Sequence, residues 1–192
     1  MAAWSAEFLQ AFIPLFVAID PIGLAAIFLA LGRGLSPPQR RRVALQATLT
    51  GGGVALLFLF LGASLFAALG ISVHDFQVAG GLILFLLAAR DLAHSGADPE
   101  PAEDCGVVPL GMPLIAGPAL IATLLVLAGS VGYGVTLAAL AANLALVALA
   151  FTQSARLGRL VGPTALRAVS KLISMLLAAI AVSMVRQGLS RG

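Results

Sequence analysis

Charge is scarce in this chain. Of its 192 residues only 10% are Asp, Glu, Lys or Arg, against the quarter or so usual in soluble domains, and 60% are hydrophobic. That deficit excludes an ordinary water-soluble fold. Cys105 stands alone, which excludes an internal disulfide, and nothing near it has metal-ligand spacing. Neither a metal nor a cofactor is expected. No Lys or Arg precedes the first apolar block, so a cleavable signal peptide is not expected. There is no nucleotide-binding loop, no second carboxylate at membrane depth, and no deep Lys or His to activate a hydroxyl. ATP-driven transport by this chain and membrane proteolysis are thereby disfavoured, and the expectation is a protein that is not an enzyme.

What is present is apolar length. Mean hydropathy is +1.07, and the apolar residues fall in blocks of about twenty, the length that crosses a hydrocarbon core of roughly 30 Å. The blocks read as helices over 8–32, 43–69, 76–93, 107–128, 134–154 and 167–187. The expected fold is an all-α polytopic membrane protein with six transmembrane helices. Nine of the eleven basic residues (Arg33, Arg40, Arg41, Arg42, Arg90, Arg156, Arg159, Arg167 and Lys171) fall on one side of that arrangement. Basic residues near helix ends stay cytoplasmic, so both termini are predicted outside. The net charge of +3 is read as topology and not as a nucleic-acid surface.

One stretch interrupts the pattern. FVAIDPIGLAAIFLALG, residues 16–32, places Asp20, Pro21 and Gly23 inside an apolar run. A second copy follows: residues 20–32 align with GPALIATLLVLAG at 117–129, matching Pro21 with Pro118, Ala25 with Ala122 and Gly32 with Gly129. Each copy opens a proposed set of three helices. Three crossings is an odd number, so the second set would enter the membrane upside down, as in many secondary transporters. The expectation is two inverted-topology three-helix repeats, residues 1–95 and 107–192, joined by an acidic hydrophilic linker over 96–106, with helices one and four broken.

The breaks supply the candidate site residues: Asp20, Pro21, Gly23, Gly117 and Pro118. Proline removes an amide donor and adjacent glycine permits irregular backbone, so freed backbone groups need partners that lipid does not offer. A solute or ion could supply them, or neighbouring side chains could. Asp20 could receive a cation or proton, or could cap the second half-helix. Asn143 could bind a solute or lock two helices by a hydrogen bond. Thr123 could do the first, or could bond its own helix backbone. Gly80 and Gly81 read as helix-packing positions.

The residues DPIG at 20–23, GIS at 70–72, AGG at 79–81 and PLGMPLIAGP at 109–118 together resemble the MarC family of bacterial and archaeal inner-membrane proteins. The resemblance covers nearly the whole chain. It implies a six-helix architecture in the cell inner membrane, and some relatives are described as transporters of small neutral amino acids such as glycine and alanine. The chain departs from the commonest family pattern at Asp20, where Asn is usual, at Ala119, where a further glycine is common, and at Ser174 near Lys171. The function expected is secondary transport of a small polar solute by alternating access, with proton or sodium as coupling ion and the bilayer as partner. A homo-oligomer is compatible with it. A passive solute channel, or a non-transporting structural or regulatory membrane protein, is the alternative.

Overall fold

The computed structural model describes residues 2–32, 34–93, 103–160 and 163–191. Helix α1 (Ala2–Ile19) and helix α2 (Pro21–Leu31) meet at Asp20, and α3 (Pro37–Leu69) and α4 (Val73–Ala93) follow. A 3-10 turn (Glu103–Gly106) leads into an irregular, wide-turned segment (Val107–Ile115). Then come α5 (Pro118–Ser130), α6 (Tyr133–Leu160) and α7 (Pro163–Arg191). Residues 94–102, which include most of the acidic linker expected over 96–106, lie outside the described residues. So do Arg33 and the side chains of Arg90, Arg156, Arg159, Arg167, Lys171 and Ser174.

Local chemistry explains where these elements start and stop. Prolines occupy the first turn of α2, α3 and α5, where a missing amide costs nothing. Helix α3 begins at Ser36, whose backbone N–H donates to Gln39 Oε1 at 2.8 Å. It ends at Gly70, which takes the left-handed conformation (φ 64°) that closes helices. Helix α4 opens with a reciprocal pair: the Ser72 backbone N–H donates to Asp75 Oδ2 at 2.7 Å, and the Asp75 N–H donates to Ser72 Oγ at 3.1 Å.

Among the described residues three helical spans are long and apolar enough to cross a membrane: Trp4–Leu29, Pro37–Leu69 and Tyr133–Ser154. The irregular segment plus α5 makes a fourth if that pair, bent by 45°, counts as one span. This corrects the expectation of six crossings in two inverted three-helix repeats. Helix α4 contributes an apolar stretch of only His74–Leu86, short of the twenty or so residues a span needs. The two breaks are also unlike. At Asp20 the chain continues as one span, whereas before Gly117 it turns sharply after a segment holding non-helical residues at Val108 and Met112. Thirteen alignable apolar residues do not specify a common path. The architecture is an all-α multi-pass membrane fold.

Packing gathers the pieces around α6, which lies against α1, α2, α3 and α5. Phe28 of α2 stacks on Phe151 of α6 with ring centroids 4.5 Å apart, a geometry favourable beyond the area it buries. Trp4, Phe8, Phe12 and Phe16 recur every fourth residue on α1 and stack in sequence, which stiffens one face of that helix. Helix α3 takes the irregular segment directly against its backbone: a Cβ on Gly51 would come within 2.5 Å of Ile115 Cγ2. Helices α4 and α7 run antiparallel, Gly81 against Ala181 and Val185, and Gly188 against His74 and Val78. Lipid gives no hydrophobic drive for helices to associate, so close approach at small residues is what holds such pairs.

Candidate solute site at two helix breaks

Asp20 is the first break. Its backbone is left-handed (φ 51°, ψ 68°), the one positive φ among the described residues that is not a glycine. Asp and Asn tolerate this region better than other side chains. The Asp20 carboxylate turns back to accept the Gly23 N–H at 3.0 Å, and so caps α2. Its own N–H still reaches the Phe16 carbonyl at 2.9 Å. The next residue, Pro21, is buried and has no N–H to give the Val17 carbonyl one turn back. Asp20 itself is exposed. An acid inside an apolar span is thus held by the backbone on one side and open on the other.

The second break is built differently. Gly117 is extended (φ −85°, ψ 168°), and no side chain caps α5 behind it. Gly117 and Pro118 are both buried. A Cβ on Gly117 would lie 2.6 Å from the Pro113 carbonyl oxygen, so only glycine lets the chain pass so close to its own preceding turn. The positive end of the α5 dipole is therefore buried without the carboxylate that its counterpart on α2 carries. Thr123, in the following turn, donates to the Ala119 carbonyl at 2.7 Å and is occupied within its own helix.

The breaks belong to elements that touch crosswise: α1 packs on α5, and α2 on the irregular segment. Gly80 of α4 lies beside both Pro113 and Pro118, with an added Cβ 3.7 and 3.8 Å from their rings. Gly81 points instead to α7. Asn143 is fully buried in α6 and donates from Nδ2 to the carbonyls of Phe12 at 3.2 Å and Ala139 at 2.9 Å. That ties α6 to α1. Only the amino end of the amide can donate to two carbonyls, which fixes its orientation. Its Oδ1 is buried and has no partner among the described residues.

Two features escape sequence reasoning. One is Gln46, whose Oε1 is also buried without a partner among the described residues and sits beside Gly106, 3.1 Å from where a Cβ there would be. Nothing in the sequence around Gln46 marks it. The other is the irregular segment itself, read from the sequence as the helical first half of a helix broken only at Gly117 and Pro118. Its signal was available: Pro109 and Pro113 stand four apart and remove two helix hydrogen bonds about one turn apart, whereas α1 holds the single Pro14 in its interior. No group of three or more His, Cys, Asp or Glu that could hold a metal occurs among the described residues.

Comparison with known proteins places the chain in a family. The chain is 35% identical to the UPF0056 membrane protein YvbG of Bacillus subtilis over 193 residues, covering 93% of this chain and 92% of the relative. It is 31% identical to the UPF0056 inner membrane protein YhgN of Escherichia coli over 191 residues, covering 95% and 96%. A shorter match, 35% over 131 residues, covers 62% of this chain and 57% of the membrane protein MJ0972 of Methanocaldococcus jannaschii. No solved structure matches significantly. The model of the MarC family integral membrane proteins matches residues 5–191, nearly the whole length. The chain belongs to the MarC family.

Proposed function

We propose that this protein is a transporter of a small polar solute, and that the solute sits between the two helix breaks. The observation that carries the reading is the inequality of the half-helix starts. Helix α2 arrives with its own carboxylate, Asp20, whereas α5 begins at a buried glycine with no side-chain cap. A zwitterion such as a small neutral amino acid is complementary to that pair. Its carboxylate would meet the α5 amino end, and its ammonium would meet the open side of Asp20. The unpartnered Asn143 Oδ1 is a further acceptor for an N–H donor. A carboxylate within an apolar span is costly unless water or a cation reaches it, so Asp20 is also the natural place for a coupling proton or sodium ion. The Escherichia coli relative bears the name of an inner membrane protein, and we infer the same membrane for this chain.

The test is uptake by purified protein in liposomes, across a panel of small neutral amino acids, under imposed proton and sodium gradients. Accumulation of one of them above its external concentration supports the reading. Equilibration that never exceeds the external concentration identifies a passive pore. No flux of any solute in the panel removes the zwitterion assignment.

A further inference from the structure

Away from the breaks, the outer face of the α4–α7 pair carries two adjacent grooves. One, about 580 Å³, runs between the two helices and is walled by Leu82 and Phe85 of α4 and by Val182, Val185 and Leu189 of α7. The other, about 360 Å³, lies along α7 at Ala178, Ala179 and Ser183. Val182 and Arg186 line both. Arg186 is exposed and makes no ion pair or hydrogen bond among the described residues. The polar side chains around it are turned to each other: Gln77 Nε2 donates to Gln187 Oε1 at 3.3 Å, Gln187 Nε2 to Ser183 Oγ at 3.0 Å, and Ser190 Oγ to the Gln187 carbonyl at 3.2 Å. Asp75, near this end of α4, is held by Ser72.

We propose that this face binds one anionic diacyl phospholipid, its phosphate on Arg186 and one acyl chain in each groove. The match is one of shape and charge together. Two apolar troughs share Arg186, which has no partner among the described residues, as two acyl chains share one phosphate. A guanidinium forms bidentate hydrogen bonds to phosphate oxygens, which a zwitterionic headgroup shields with its own cation. A long basic side chain near a helix end reaches the headgroup level while its stem stays in the apolar layer. The site lies on α7 and α4, apart from Asp20 and Asn143, so it does not depend on the transport reading.

The experiment is native mass spectrometry of the full chain released from vesicles of equal phosphatidylglycerol and phosphatidylcholine. One retained phosphatidylglycerol per chain, in at least fivefold preference over phosphatidylcholine, is expected. R186Q should abolish the preference and R186K should keep most of it. V182W, which obstructs both grooves at an exposed position, should lower retention with Arg186 in place. Inorganic phosphate at matched concentration should not displace the lipid, since it cannot fill the grooves. Equal retention of the two lipids, or an unchanged preference in R186Q, overturns the proposal. Efficient disulfide cross-linking of V182C between two chains in native membranes also overturns it, because a second copy would then occupy the face.

Discussion

The Asp20 carboxylate accepts the Gly23 backbone N–H at 3.0 Å while its own backbone is left-handed. One residue therefore ends α1, reverses the local backbone and starts α2. Asp20→Asn keeps both abilities, since asparagine caps helices and enters the left-handed region readily. It should fold and melt close to wild type, yet lose most uptake driven by a proton or sodium gradient. Asp20→Ala loses the cap, worth about 0.5–2 kcal/mol, and strains a left-handed residue by roughly 1–2 kcal/mol more. Melting in detergent and gradient-driven uptake, measured on both variants, separate the two roles. Wild-type coupled uptake by Asp20→Asn would refute the charge.

Asn143 makes a different test, because its two ends do different things. Asn143→Leu removes the bond to the Phe12 carbonyl and should destabilise the α1–α6 contact by about 0.6–2 kcal/mol, the range found for hydrogen bonds between membrane helices. It also relieves the unpartnered Oδ1, which offsets part of that loss. If Oδ1 contacts the solute, uptake should fall much further than the modest change in melting accounts for. A loss of uptake that merely tracks loss of folded protein would leave Asn143 as a lock alone.

Neighbouring glycines on α3 should respond with opposite signs. At Gly51 a Cβ would strike Ile115 and come 3.2 Å from the Gly111 carbonyl oxygen, whereas at Gly53 nothing lies within 4 Å. Gly51→Ala should destabilise by about 1–3 kcal/mol through overpacking. Gly53→Ala should stabilise by up to about 1 kcal/mol, through helix propensity with no clash to oppose it. Thermal melting of the two single variants in one detergent decides the matter. Equal effects would mean that α3 does not present the Gly51 side to the irregular segment.

Acid should loosen the start of α4. The Asp75 carboxyl is held below its ordinary range first by the Ser72 backbone N–H, then by the Ser72 hydroxyl, with His74 adding a little. A carboxylate lowered on folding contributes stability that is complete above its unfolded value, about 3.9, and is lost as pH falls through the lowered folded value. Melting measured from about pH 6 down to about pH 3 should therefore drop more for wild type than for Asp75→Asn. Parallel curves for the two proteins would show that this cap does not contribute.

How much of this could be read beforehand depended on the range of each signal. Low charge and apolar block length report the solvent, and a membrane fold follows from them. Prolines at 21 and 118 act on the residue one turn back and can be read from their neighbours. A block of twenty apolar residues, however, does not say whether the chain crosses, bends or packs sideways. Residues 107–115 have the composition of a span and the backbone of an irregular turn, because Pro109 and Pro113 outweigh hydropathy there. The left-handed backbone of Asp20 was equally hidden: both a cap and an ion ligand would have placed an acid at that position. The orphaned oxygens of Gln46 and Asn143 depend on what arrives from distant parts of the chain, and no local pattern encodes that.

Gly80 and Gly81 stand side by side on α4, one against Pro113 and Pro118, the other against Val185 and Ala181. Gly81 brings α4 onto α7 without padding, since a Cβ there would lie 2.8 Å from Val185 and 2.9 Å from the Ala181 carbonyl oxygen, whereas Gly80 leaves room for a methyl group beside Pro113, Pro118 and Met184. Close-packed contacts pass displacement on instead of absorbing it. A small tilt at the start of α5 would therefore be taken up at Gly80 before it moved α4, while any movement of α4 itself would carry α7 along with it.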